Sequence, residues 1–239
     1  MLCFAYGPYG FTMIDTIGFD GDDTLWHNES LFSMTQERFR ALLAHAADPA
    51  DLDRRLLEAE RANLRVYGYG IKGFVLSMIE TAIAVTDGRV PARDLQSLIE
   101  FGKAMLDHPV ELLPGVAEVV EALSSRHRLI LVTKGDLFDQ ESKIARSGLA
   151  ERFDAVEIVS EKDPATYRRV LARHGVDPAR FVMVGNSVRS DILPVLSIGA
   201  HAVHVPYAIT WAHEEAEPPD EHYRRIDSVL DLPPLLAAW

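Results

Sequence analysis

The chain reads as an α/β protein: a Rossmann-like parallel-sheet core interrupted by a block of helices. Three observations lead there. Four apolar runs of strand length each stop at a polar residue: Ile17–Phe19 at Asp20, Leu129–Val132 at Thr133, Val156–Val159 at Ser160, and Phe181–Val184 at Gly185 and Asn186. Helix-like periodicity fills the stretches before the second and fourth runs. Residues 28–108, between the first run and the second, carry helical patterns only.

Taken in order, residues 1–12 hold Gly7, Pro8 and Gly10 without strand or helix periodicity, which predicts a tail or an over-extended start, with a short added edge strand as the alternative. Four helical faces follow the first strand: Phe32, Thr35, Phe39, Leu42, Leu43 and Ala46; Leu52, Leu56, Ala59 and Asn63; Phe74, Met78, Ala82 and Val85; Leu95, Leu98, Gly102 and Met105. Pro49, the stretch 68–73 and Pro91 separate them. Val116, Val119, Val120 and Leu123 form a helix face before the second strand, and Tyr167, Val170 and Leu171 one before the fourth. Pro194 falls in the first turn of a helix, where its missing N–H costs little. Ala202, Val203 and Val205 predict a fifth strand, after which Pro206–Trp211 leans toward the strand ends. The division is a core of residues 13–27 and 109–239 and a helical insert of 28–108, with linkers near Trp26–Glu29 and His108–Pro114.

The chemistry starts at Asp20-Gly21-Asp22-Asp23-Thr24, three carboxylates in four positions. Like charges that close raise one another's pKa unless a cation sits between them, so a divalent metal or a lysine is implied. A calcium loop is excluded because Leu25 and Leu31 stand where it needs glycine and glutamate. No GxxxxGK[ST] loop supports a nucleoside-triphosphatase, and Gly185–Arg189 lacks the second glycine of GxSxG. The plainer alternative is an acidic turn that starts a helix. In open α/β sheets ligands bind at the carboxyl ends of the strands, and all four polar strand ends converge there.

These four segments, in order and spacing, resemble the haloacid dehalogenase-like hydrolase superfamily, in its phosphatase branch with a helical cap between the first two motifs. The motifs are Asp20–Thr24, Thr133, Lys162, and the loop from Gly185 to Asp191. The resemblance implies that Asp20 is the nucleophile and forms an aspartyl-phosphate, and that Asp22 is the general acid and base. Thr133 would donate to a phosphoryl oxygen and Lys162 would neutralise charge on the phosphoryl group and Asp20. Lys134 competes for that role, or else is a solvated surface lysine. Magnesium is the implied cofactor, held by Asp20, the backbone carbonyl of Asp22, and Asn186, with Asp191 either a ligand through water or a partner for Lys162. Asn186 stands where the family usually has an acid. It keeps open a metal-independent 2-haloacid dehalogenase, although such enzymes typically lack the second aspartate that Asp22 supplies. A binding or regulatory protein with a weakened site is the non-enzyme alternative.

The implied substrate is a small phosphate ester chosen by the cap, in which Arg65–Gly73 is the candidate contact loop, with Arg65, Tyr69 and Lys72 as its recognition residues. The plainer reading is an interhelical turn whose tyrosines plug the cap core. Composition agrees with an enzyme of this kind. The 239 residues are 48% apolar and carry a net charge of −12, which argues against nucleic-acid or anionic-membrane partners. Cys3 is the one cysteine, so a disulfide framework, a zinc cluster and a thiol enzyme are excluded. Scattered histidines such as His201 and His204 read as structural or surface residues and not as ligands. No apolar run approaches the roughly 18 residues of a membrane span, and the start lacks a cationic signal-peptide pattern, so a cytoplasmic location is expected.

Overall fold

In chain order, β1 (Thr16–Phe19) leads into four helices, α1 (Glu29–Leu43), α2 (Pro49–Tyr67), α3 (Ile71–Val85) and α4 (Ala92–Asp107). Then come α5 (Val116–Ser124), β2 (Arg128–Lys134), α6 (Leu137–Arg146), β3 (Ala155–Val159), α7 (Pro164–His174), β4 (Phe181–Gly185), α8 (Leu193–Leu196), β5 (His201–His204), β6 (Arg224–Arg225) and α9 (Leu232–Ala237). The computed structural model describes residues 13–209, 216–217 and 223–239, so the expected tail at 1–12 and the end of the Pro206–Trp211 segment lie outside the described residues.

The sheet has the order β3-β2-β1-β4-β5-β6 and every pair in it is parallel. Burial on both faces explains why its central strands are continuous apolar runs. One face packs Ile17, Phe19, Leu129, Leu131, Val182 and Val184 under α5 and α9. The other packs Ile130, Val132, Phe181 and Met183 against Tyr167, Val170 and Leu171 of α7. Chain direction is set by caps at the helix starts. Asp136 accepts from the amide of Asp139 at 3.1 Å to open α6, and Asp163 accepts from Thr166 at 2.7 Å to open α7, with Pro164 in its first turn.

The insert is the expected four helices and packs around its own cluster, which includes Phe39, Leu43, Leu52, Leu56, Phe74, Met78, Leu98 and Met105. Two local expectations shift. Ala46 falls in the turn after α1, and Gly73 lies inside the first turns of α3. The two-residue β6 adds a sixth strand, too short to leave any periodicity. Among the described residues no helix is long and apolar enough to cross a membrane.

Strand order reverses beside β1, with β2 on one side and β4 on the other. A crevice opens at the carboxyl end of that reversal. Asp20 is the first residue past β1 and lies at its mouth.

Candidate active site

Asp20 is fixed by the sheet before any side chain contributes, since its amide donates to the carbonyl of Val184 in β4 at 2.9 Å. Its carboxylate is buried, one oxygen in a close ion pair with Lys162 and the other accepting from the Thr24 hydroxyl at 3.0 Å. Lys162 also donates to Asp191 at 2.7 Å, so two buried carboxylates share one buried ammonium. Burial pushes Asp20 up to about 7 against the pull of Lys162, with Asp191 and Asp22 pushing the same way. Burial alone would lower Lys162, but the charges of Asp191 and Asp20 outweigh it and hold the ammonium above the usual lysine range.

Asp191 is fully buried, one oxygen on Lys162 and the other accepting from the Ser187 amide at 3.1 Å. A single wide helical turn at Val188–Ile192 presents it. Any side chain at Gly185 would collide with the Asp191 carboxylate, which is why β4 ends in glycine.

Asp22 belongs to a different network. Gly21's carbonyl collects the amides of Thr24, Leu25 and Trp26 at 3.2, 2.8 and 3.4 Å, so the chain turns right after Asp20. A Cβ on Gly21 would meet the Trp26 ring at 2.8 Å and the Thr133 hydroxyl at 3.3 Å. The Asp22 carboxylate accepts from Trp26 Nε1 at 2.7 Å, Gln140 Nε2 at 2.8 Å and Lys143 Nζ at 3.1 Å. Lys143, itself buried, also pairs with Asp139 at 3.2 Å and donates to Asn28 Oδ1 at 2.7 Å. Burial alone would depress it, and Asp22 and Asp139 raise it instead. Thr133, buried at the end of β2, donates to Gln140 Oε1 at 3.2 Å.

Asp23 shows that the helix-starting reading of the acidic turn was partly right. It accepts from the amides of Asn28 at 2.9 Å and Glu29 at 3.0 Å, which caps α1 from five residues upstream, and it holds φ at 61° to do so. Burial pushes it up to about 7, opposed by those two amide bonds.

The residues fit a magnesium ion. Thr24's hydroxyl lies 3.0 Å from Asp20 Oδ2 and 3.3 Å from Asn186 Oδ1, which brings two hard oxygen donors to one spot. The carbonyl of Asp22 takes no part in the backbone hydrogen bonds of the turn. Among the described residues no three His, Cys, Asp or Glu side chains form a metal cage, so such an ion would keep several waters, as magnesium prefers. Asn186 is steadied from behind by His204, whose Nε2 donates to its carbonyl at 2.9 Å. His204 is therefore structural, as expected.

These groups line one cavity of about 140 Å³ roofed by the insert. Asp20, Asp22, Thr133, Lys134, Lys162, Asn186, Asp191 and Tyr69 all reach it. Lys134 is not a solvated surface lysine. It donates to the Ser190 hydroxyl at 2.9 Å, stands 4.2 Å over the Tyr69 ring and lies 3.7 Å from Glu161. Two residues of the candidate contact loop lie outside. Arg65 is on the exposed side of α2, and Lys72 is drawn away by an ion pair with Asp136 at 2.9 Å. Ile209 lines the cavity, in line with the expected lean of the segment after β5.

Asp139, Gln140 and Lys143 were missed by sequence reasoning. The signal was present: on α6 the buried face is Asp139, Gln140, Lys143 and Ile144, polar residues at helical spacing right after the Thr133 motif. A polar inner face on a core helix needs partners, and Asp22 is the partner.

Family comparison agrees with this geometry. Residues 14–199 match the family of haloacid dehalogenase-like hydrolases, and the chain belongs to that family. A haloacid dehalogenase-like family hydrolase from Xanthomonas campestris is 45% identical, with a TM-score of 0.86 over 94% of this chain and 91% of that one. The N-acylneuraminate-9-phosphatase of Mus musculus is 27% identical across 94% of this chain and 90% of its own length. The L-2-haloacid dehalogenase of Xanthobacter autotrophicus shares the fold, at 20% identity and a TM-score of 0.64 over 94% and 99%.

Proposed function

We propose that this chain is a magnesium-dependent phosphomonoester hydrolase that works through an aspartyl-phosphate on Asp20, with residues 28–108 as its cap. The observation that carries the reading is a second carboxylate, Asp22, held in the same cavity by three donors. An alkoxide leaving group needs a proton and a halide does not. The likeness to phosphatases supports the same choice.

In this reading Asp20 attacks phosphorus, forming its own O–P bond as the ester O–P bond breaks, and Asp22 gives a proton to the departing alkoxide. Water then attacks the aspartyl-phosphate while Asp22 takes up its proton, which frees phosphate and restores Asp20. Lys162 and Thr133 hold the phosphoryl oxygens, and Lys134 adds a cation at the rim. Magnesium, held by Asp20, the Asp22 carbonyl and Asn186, would supply charge neutralisation for phosphate. It also answers the electrostatic demand of the site, because Asp20 shares its one lysine with Asp191 and must be ionised to act as a nucleophile.

The dehalogenase reading keeps one supporting observation, the neutral Asn186 in the fourth motif. A panel of phosphomonoesters and 2-haloacids, assayed with and without magnesium and with Asp20→Asn as blank, separates the two. Phosphate release that needs magnesium and Asp20 supports the proposal. Halide release without metal, and no phosphate release, would contradict it.

A further inference from the structure

Thr133 ends β2, Asp22 follows the neighbouring β1, and one side chain of α6, Gln140, joins them. Gln140 Nε2 donates to Asp22 Oδ2 at 2.8 Å, and an ionised carboxylate can only accept, so the nitrogen end of the amide is fixed. Its oxygen end therefore faces Thr133, whose hydroxyl donates to Oε1 at 3.2 Å. Both residues lie out of water, Thr133 at 1% exposure and Gln140 at 2%. The loop between them makes room for the amide. Gly135 holds φ at 144°, and a Cβ there would lie 3.0 Å from Gln140 Nε2.

A hydroxyl has one proton to give. Thr133 spends it on Gln140, and the proposed reaction asks for the same proton at a phosphoryl oxygen. Among the described residues no other group donates to Gln140 Oε1, so a phosphoryl group that takes the proton leaves a buried acceptor unpaired, which opposes its binding. It also releases the far end of the amide that keeps Nε2 aimed at Asp22.

Building on the phosphatase reading, we infer that Gln140 is a positioning residue that couples the phosphoryl site to the acid: it competes with the substrate for the Thr133 proton and carries the outcome to Asp22. Gln140 weakens phosphate binding and steadies Asp22 for proton transfer. Its removal therefore shifts the two in opposite senses, which loss of packing alone would not do.

Gln140→Met keeps the length and bulk of the side chain and removes both hydrogen bonds. It should tighten inorganic phosphate, measured by calorimetry with magnesium present, by roughly two- to tenfold, the worth of one net hydrogen bond. In a Thr133→Val background, which has no hydroxyl to free, the same change should leave phosphate affinity where it was. The kcat/KM ratio of glycerol 3-phosphate to p-nitrophenyl phosphate, in which phosphate binding cancels, should fall by a similar factor, because only the alkyl ester needs the acid. Gln140→Glu keeps an acceptor for Thr133 and replaces the donor to Asp22, so here the ratio should fall with no tightening of phosphate. Phosphate affinity that is unmoved by Gln140→Met, or raised equally with and without the Thr133 hydroxyl, or raised by Gln140→Glu as well, would overturn the competition for the proton. A ratio unmoved or raised in both variants would overturn the link to Asp22. Either result with esters turned over by the wild type overturns this inference alone. No turnover of any ester by the wild type would overturn the phosphatase reading and this inference together.

Discussion

Two buried lysines flank the acidic turn, and they are built alike but placed differently. Lys162 lies between Asp20 and Asp191, and Lys143 between Asp22 and Asp139. Each is held in its charged form by a pair of carboxylates that outweighs the cost of burial. Lys162 touches Asp20 and Asp191, both of the core. Lys143 touches Asp22, and it also donates to Asn28, the residue just before α1. The difference teaches that Asp20 and Asp22, two residues apart, have separate electrostatic supports, so they can be disturbed separately.

The largest effect should come from Lys162→Met. Removing one partner of a buried pair leaves Asp20 and Asp191 uncompensated, which costs on the order of 3–5 kcal/mol in stability. Loss of its phosphoryl contact should lower kcat by roughly 10²–10³ on every ester. Denaturant unfolding and assays with p-nitrophenyl phosphate check both numbers. A variant that keeps wild-type kcat would remove Lys162 from the mechanism.

Lys143→Met should instead discriminate between leaving groups. Alkyl phosphates, which need the proton from Asp22, should slow by up to the roughly 10²–10⁴ attributed to general acid catalysis, while p-nitrophenyl phosphate slows far less. Lys143→Arg should restore part of the alkyl rate. If both ester types slow equally, the lysine's role is structural and the comparison breaks.

Asn186 sharpens the Lys162 side, where negative charge is already in excess. Asn186→Asp adds a charged oxygen to the proposed metal shell and should lower the magnesium concentration for half-activation by roughly tenfold, whereas Asn186→Ala should raise it. Identical activation curves for all three proteins would place residue 186 outside the metal shell.

Asp23 gives the smallest effect and serves as the control, a buried carboxylate capped by amides with no lysine in its capping contacts. Its folded pKa of about 7 exceeds the unfolded 3.8, so the stability it contributes is complete below 3.8 and is lost as pH rises toward 7. Asp23→Asn keeps an acceptor for the amides and cannot ionise. Relative to wild type its melting temperature should gain between pH 4 and pH 8 in chelator, by roughly 2–4 °C for each kcal/mol of that pH-dependent loss at this size. A difference that does not move with pH would show that Asp23 titrates normally.

The sheet was legible because its central strands are buried on both faces and so leave uninterrupted apolar runs. The insert was legible because its helices bury one face each, as Leu52, Leu56 and Asn63 do. That Asp20, Thr133 and Lys162 meet at one crevice was legible because each ends or follows a strand. Lys143 was not, since it sits mid-helix among other polar residues and only the docking of α6 under the acidic turn turns that face inward. Arg65 and Lys72 show the reverse error. A glycine-rich stretch with aromatics and cations pointed to a binding loop, but sequence does not show that Asp136 captures Lys72 or that Arg65 faces away.

Covalent phosphorylation of Asp20 is the central step of the proposed reaction. Asp22→Asn should trap that state, because attack on a phosphate ester with a good leaving group can still proceed while hydrolysis loses its base. Mixing this variant with p-nitrophenyl phosphate and magnesium, quenching in acid and mapping peptides by mass spectrometry should find one phosphoryl group on the peptide that contains Asp20, and none when Asp20→Asn is added to the same background. Phosphate release with no phosphorylated peptide at any quench time, or the phosphoryl group on another residue, would contradict the mechanism.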